Sequence, residues 1–327
     1  MEFHLKRRQQ FLTEEAYSGA MLFFEKYVAP GHLKILAQPP RDAMDHSLNA
    51  NGYADQSFAT YLLRYTAGES LSTLREDLDH IVFAYEQATI YVRAFQKNDT
   101  FPPLRFIEID DYERVLQLIG LCYLLHRRDL LPRVAAMFDP SSAARDALYE
   151  DILSFELEGR FELDKWYHEA YRDLLNTIYG ETDAEVISDF ESYTKNWYRA
   201  MAKAPWHDSH LRIKGDRCGG YFGCWAIEAA ALAYLLNIDD ASFRGNLVYP
   251  KDLVDYAKKL DNLKPVTDGN QPRAIRRVAG GEPCPQAGYW MTPAWLDSRR
   301  FFEVGEIMPI FAYSSYGATI WQWSEEQ

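Results

Sequence analysis

Within the apolar stretch Tyr221 to Leu236, YFGCWAIEAAALAYLL, one carboxylate stands alone, Glu228. A helix that is apolar nearly all round is buried. A carboxylate carried into that interior must be paired, hydrogen-bonded or protonated. It can then serve as an acid or base with a shifted pKa. Equally, it can be a packing device held by an Arg or Tyr. Just beyond, Asp239-Asp240-Ala241-Ser242 makes an acidic turn. Asp239 and Asp240 have the composition of a catalytic pair or of metal ligands, and they also suit a helix start, where an Asp side chain caps backbone N–H groups. Pro250 at a first helical position, with Asp252 behind it, marks a second such start.

His207, His210, Cys218 and Cys224 belong to the right residue classes for zinc. Their H-x2-H and C-x5-C spacing is not the C-x2–4-C or H-x3–5-H of common zinc sites, so no metal is expected. No P-loop, GxGxxG, GxSxG or HExxH motif occurs. No His, Lys or glycine-rich loop adjoins the Asp residues to complete an active site. A hydrolase reading therefore rests on Glu228 with Asp239 and Asp240 alone. Two acidic groups offer faces for a basic partner instead: Glu76, Asp77, Asp79 and Glu86, and Asp183, Glu185, Asp189 and Glu191. Either is equally readable as an ordinary solvated helix face.

The elements that must position these residues are mostly helical. The clearest runs from Ser70 to Lys97, with apolar residues at Leu71, Leu74, Leu78, Ile81, Val82, Tyr85, Ala88, Thr89, Val92 and Phe95. That is the i, i+3, i+4, i+7 signature of an amphipathic helix. Further helices are predicted over 11–28 (ended by Pro30-Gly31), 55–67, 111–126, 131–138, 143–158, 164–179 and 183–203. The last opens on a capping box, Thr182 with Glu185. Residues 35–52, with Pro39-Pro40 and Asn-Ala-Asn-Gly, read as a loop. Short polar joints between helices imply antiparallel packing. From 261 to 288 prolines and glycines imply a loop, and strands are predicted over 299–304 and 318–323. The expected class is mainly α: an antiparallel helical bundle with a small C-terminal β module, α+β overall. A change in composition near 205 suggests a helical domain over 1–205 and a second over 206–327.

The chain has 327 residues and a net charge of −13, which argues against nucleic acid and favours a basic partner. Four cysteines are too few for a disulfide framework at this length, so they read as reduced thiols. The N-terminus has no apolar signal region and the longest apolar run is too short to span a bilayer. A soluble, cytoplasmic protein without membrane association is expected. Its aromatic-rich tail offers an apolar patch through which a homodimer could form.

The region 221–258 resembles the C-terminal domain of the PoNi-type immunity proteins. The resemblance is carried by Gly220-Tyr221, Trp225, Glu228-Ala229-Ala230, the turn Ile238 to Arg244, and Tyr249-Pro250-Lys251-Asp252-Leu253-Val254. The tail is similar to the immunity proteins 71 and 72 of type VI secretion toxin systems, through Cys284-Pro285, Gly288-Tyr289-Trp290, Thr292-Pro293, Ser298-Arg299-Arg300, Gly305-Glu306, Met308-Pro309 and Gly317 to Trp323. These resemblances imply a non-enzymatic protein without a cofactor that binds and blocks a cognate toxin, a DNase in the PoNi case. They imply that Trp225, Glu228, Asp239, Asp240, Pro250 and Asp252 are scaffold, since contacts must vary with the toxin. A hydrolase, or a helical adaptor without a toxin, is the alternative.

Overall fold

The computed structural model describes residues 2–263, 277–292, 294–295, 298–311 and 319–323. The chain is mainly α with a small antiparallel sheet near its C-terminus. Its helices are α1 (Phe3–Lys6), α2 (Glu14–Phe23), α3 (Ala29–Leu36), α4 (Ala43–Thr66), α5 (Leu71–Gln96), α6 (Ile109–Leu124), α7 (Leu131–Ser142), α8 (Ala147–Leu153), α9 (Arg172–Tyr179), α10 (Asp183–Ala200), α11 (Ile227–Leu235) and α12 (Lys251–Leu263). A π-helical turn, Phe24–Val28, joins α2 to α3. The strands are β1 (Arg277–Ala279), β2 (Gly288–Met291), β3 (Arg300–Phe302) and β4 (Ile320–Trp323), in the order β1-β4-β2-β3.

Contacts divide the chain into two units, 1–141 with 168–261, and 142–167 with 262–327. The boundary expected near 205 therefore falls inside the first unit. Composition marks loops along the chain, and it carries no trace of an excursion such as 142–167 that joins a distant sheet.

In the first unit α4 and α5 form a long hairpin across the connection 67–70. Ser70 caps α5 by accepting from Thr73 N at 3.2 Å, and Lys97 ends it in the left-handed region. The buried stripe Leu74, Leu78, Ile81, Val82, Tyr85, Ala88 and Val92 faces the core. α6 packs on α11, and α9 on α10. Three expectations differ here. Pro30-Gly31 does not end the first helical run, because Pro30 sits in the first turn of α3, where its missing N–H costs nothing. Residues 43–52 are helix rather than loop. Asp42 caps α4 through Asp45 N at 2.9 Å, and at Gly52 an added Cβ would lie 2.8 Å from the His32 ring. That glycine marks a close helix approach, not a turn. The predicted helix 164–179 is confined to α9, preceded by a 3₁₀ turn over 169–171.

The N-terminal segment is tied into this unit by side chains. Gln9 is buried, and all of its hydrogen-bonding capacity is used. Its amide nitrogen donates to Cys224 O at 2.7 Å and Leu247 O at 3.1 Å. Its oxygen accepts from Cys224 N at 2.9 Å and from the Tyr221 hydroxyl. Arg8 binds Asp252 and the carbonyls of Tyr65 and Glu69, and its guanidinium lies 4.3 Å above the Tyr65 ring.

In the second unit α8 is shorter than the predicted 143–158, starting where Asp146 accepts from Tyr149 N at 2.8 Å. Glu150 and Arg160 form a buried ion pair at 2.7 Å. Gln322 of β4 donates to Arg160 O at 2.9 Å, which ties the sheet to this excursion. Cys284, Trp290, Phe302, Met308 and Trp321 form the small core of the unit. The predicted strands are observed as β3 and β4. Of the tail residues read as a motif, Pro293, Gly317 and Ala318 lie outside the described residues, as do 264–276 of the predicted loop.

Gln9→Ala would leave Cys224 N, Cys224 O and the Tyr221 hydroxyl buried without this partner. A loss of about 3 kcal/mol is expected, read as a fall in the urea unfolding free energy.

Candidate functional site

Glu228 lies in the first turn of α11 and is completely buried. Ala229, Ala230 and Ala231 beside it are small enough for α11 to lie close against α6. At Gly120 of α6 an added Cβ would come within 3.1 Å of Ile227 and 3.3 Å of Ala231. One carboxylate oxygen of Glu228, Oε1, accepts from the Tyr193 hydroxyl at 2.7 Å and from Trp197 Nε1 at 2.9 Å, both on α10. The other, Oε2, is enclosed without a partner.

A second buried acid, Glu113 of α6, belongs to the same interior, and the sequence does not single it out. It accepts from Trp206 Nε1 at 2.6 Å and from Gln117 Nε2 at 2.8 Å, and Gln117 also donates to Trp225 O at 3.0 Å. Trp197 and Trp206 stack at 5.5 Å, walling the two acids in. Burial pushes the Glu228 carboxyl up to about 7, and the bonds from Tyr193 and Trp197 oppose it only in part. Glu113 is raised well above the ordinary carboxylate range, first by burial and then by the charge of Glu228. Both carboxyls are thereby biased toward the protonated form, most strongly below pH 7 for Glu228.

The remaining motif residues also spend their polar atoms internally. Trp225 donates to Thr66 Oγ1 at 2.9 Å and meets the Tyr65 ring edge-on at 5.0 Å. Asp239 accepts from Ala241 N at 3.1 Å, closing its own turn. Asp240 instead binds Arg244 at 2.9 Å, and Arg244 also reaches Asp255. Pro250 immediately precedes α12, its carbonyl accepting from Leu253 N at 3.0 Å. Asp252 receives Arg8 and the Tyr65 hydroxyl. Glu228, Asp239 and Asp240 thus have different partners, and the acid electrostatically coupled to the first is Glu113.

His207 Nε2 donates to the Tyr198 carbonyl at 3.1 Å, and His210 stands 3.4 Å from the Tyr198 hydroxyl. Cys218 points at Ala16 O. Burial pushes Cys218 up to about 11 and Cys224 up to about 12, which disfavours the thiolate that a metal would need. Among the described residues no group of three or more His, Cys, Asp or Glu is placed to hold a metal ion. No described helix is long and apolar enough to cross a membrane.

The two acidic faces differ. On α5, Asp77 binds Arg64 at 2.6 Å, and Glu86 binds Arg133 at 2.7 Å. Asp79 binds Arg133 and comes within 3.9 Å of Arg127. Glu76 is exposed. On α10, Glu185 and Glu191 are exposed on the outward side. The Thr182 hydroxyl accepts from Glu185 N at 3.2 Å, and Glu185 reaches back to Glu181 N at 3.1 Å. Asp189 is raised by partial burial and then by Asp173 and Glu185. Asp183 opens the helix. Asp189 thus has like charges beside it, while arginines bind Asp77, Asp79 and Glu86 on α5.

Residues 144–253 match the family model described as PoNe immunity proteins (PoNi), C-terminal. This segment is similar to the PoNi C-terminal domain. The match includes α9, α10, α11, the Asp239-Asp240 turn and the start of α12. Within the matched segment Trp225 and Glu228 are buried, and Asp252 is partly exposed. The solved structure of Protein PA2201 from Pseudomonas aeruginosa is similar in fold, with a TM-score of 0.59 and 18% identity over 78% of this chain and 92% of that one. No curated protein matches the chain significantly.

Stability should fall as pH rises between about 4.5 and about 7. In that window the unfolded chain has released the proton that folded Glu228 retains. Glu113 acts in the same direction. The Glu228 contribution is on the order of 3 kcal/mol. Glu228→Gln should flatten the profile of urea unfolding against pH, and parallel profiles for the two proteins would contradict this account.

Proposed function

We propose that this protein is an immunity protein that binds a cognate antibacterial toxin in the producing cell and blocks it. The observation that carries this reading is the PoNi-type segment over 144–253. A nuclease is the fitting toxin, since PoNe names the toxin of the matched family and a nuclease presents a basic cleft to its phosphates. Delivery by type VI secretion and a cytoplasmic place of action belong to the same proposal.

The contact face in this reading is α10, with Asp183, Glu185, Asp189 and Glu191. An acidic surface steers a basic partner and accelerates encounter. The α5 acids Asp77, Asp79 and Glu86 have less field to offer, because Arg64, Arg127 and Arg133 neutralise them. Glu76 stands on that same face. The buried acids serve the fold rather than the contact, so Glu228→Gln should leave toxin affinity nearly unchanged while altering stability.

Co-production with the product of the adjacent upstream gene in a sensitive host tests the reading, with rescued growth and a co-purified complex expected. Within that complex, Glu191→Lys combined with Asp189→Lys should slow association roughly tenfold at low salt and weaken its salt dependence. Glu76→Lys should change it little. Equal effects from both variants would remove α10 as the contact face, and failure of rescue with no complex would remove the immunity reading.

A further inference from the structure

The segment from α2 to α3 carries an unusual surface. Leu22 and Phe23 are each 60% exposed, and Tyr27 is 57% exposed. The π-helical turn over Phe24–Val28 lies at this crest, and such turns recur at functional sites because they displace side chains from helical register. Beside the crest a cavity of about 500 Å³ opens between α2, α4 and α5. Tyr17, Met21, Phe24 and Tyr61 supply its apolar walls.

The charged lining is unbalanced. Glu25, Glu69 and Asp77 face one guanidinium, that of Arg64. Arg64 is committed to Glu69 at 2.7 Å and to Asp77 at 2.6 Å, while Glu25 remains exposed at the rim. The Tyr17 hydroxyl is held neutral by burial and then by the Glu69 charge, as expected in a negative field. A second observation is independent of charge. Ser57, which is 5% exposed, lines this cavity, and its hydroxyl has no hydrogen-bond partner. A buried hydroxyl left unsatisfied costs stability, so native chains keep one chiefly where something else supplies the bond.

The geometry points to this cavity as the seat of an arginine side chain of the toxin. This inference rests on the immunity reading and adds a contact that α10 does not provide. A guanidinium carries several donors in a planar fork and stacks on aromatic faces. It would donate to the Ser57 hydroxyl and to Asp77 or Glu25, while Phe24 and Tyr17 receive its plane. A neutral side chain would leave the excess negative charge uncompensated, and an acidic one would add to it.

Two measurements test the proposal on the full chain. In the first, N-acetyl-arginine amide is titrated calorimetrically, with the uncharged N-acetyl-citrulline amide alongside. Saturable binding with a Kd on the order of millimolar is expected for the arginine probe and none for citrulline. Ser57→Ala should weaken the arginine probe roughly fivefold, and the exposed Glu25→Gln about twofold. No saturable heat with the wild type, or equal binding of citrulline, would overturn the site. N-acetyl-lysine amide binding as tightly as arginine would overturn the choice of guanidinium. In the second, the toxin complex is measured with Ser57→Ala and with Glu25→Lys. A loss of about tenfold or more with Glu25→Lys supports the docking. An intact complex with both variants would overturn docking at this cavity while leaving the immunity reading in place. Should the wild type bind no toxin at all, the immunity reading falls, the docking falls with it, and the arginine titration still decides whether the cavity holds a guanidinium.

Discussion

Two carboxylic acids enclosed in one dry interior constrain the helical unit more than any other interaction. Glu228 and Glu113 lie on α11 and α6, which pack together at Gly120. Their hydrogen-bond donors come from α10 and from the segment after it, through Tyr193, Trp197 and Trp206. Removing any donor would expose the full cost of burying the acid it serves. The rotation of α11 about its own axis is therefore fixed, although its alanine-rich surface has little shape of its own. An apolar helix with no such group could slide or turn at little cost. The acids specify an arrangement that hydrophobic packing alone would leave loosely defined.

Much of this architecture is legible along the chain. The stripe of α5, its Ser70 cap and the Thr182 capping box are local signals, and local physics decides them. The need for Glu228 to be hydrogen-bonded or protonated also follows from its apolar neighbours. Glu113 is not legible in this way because it stands in IDDYERVLQL among other acids, where nothing in the sequence separates the inward carboxylate from Asp110 and Asp111. Only the tertiary approach of Trp206 and Gln117 distinguishes it. Gly52 shows the converse difficulty, since a glycine after Asn-Ala-Asn reads as a turn unless the ring of His32 is known to press on it. Gln9 gives no signal at all, for its four partners lie more than two hundred residues away.

A division of labour follows between the interior and the surface. Trp225, Asp252 and one oxygen of Glu228 take hydrogen bonds with Thr66, Tyr193, Trp197, Arg8 and Tyr65. In the proposed immunity reading, residues so committed hold helices and can recur among proteins that oppose different toxins. The exposed Glu191 of α10 and the exposed Leu22 and Phe23 carry no comparable internal duty. Changes there alter charge and shape at little cost to the fold, so recognition can diverge while the scaffold stays fixed.

The clasp formed by Arg8 and Gln9 also has a temporal side. Arg8 can meet Tyr65 and Glu69 early in synthesis. Its contact with Asp252 and those of Gln9 with Cys224 and Leu247 span a long sequence separation, which makes their closure a later event. The seam between this segment and the region 224–252 therefore closes in two stages. A chain lacking the region around Asp252 would keep the second half of that seam open.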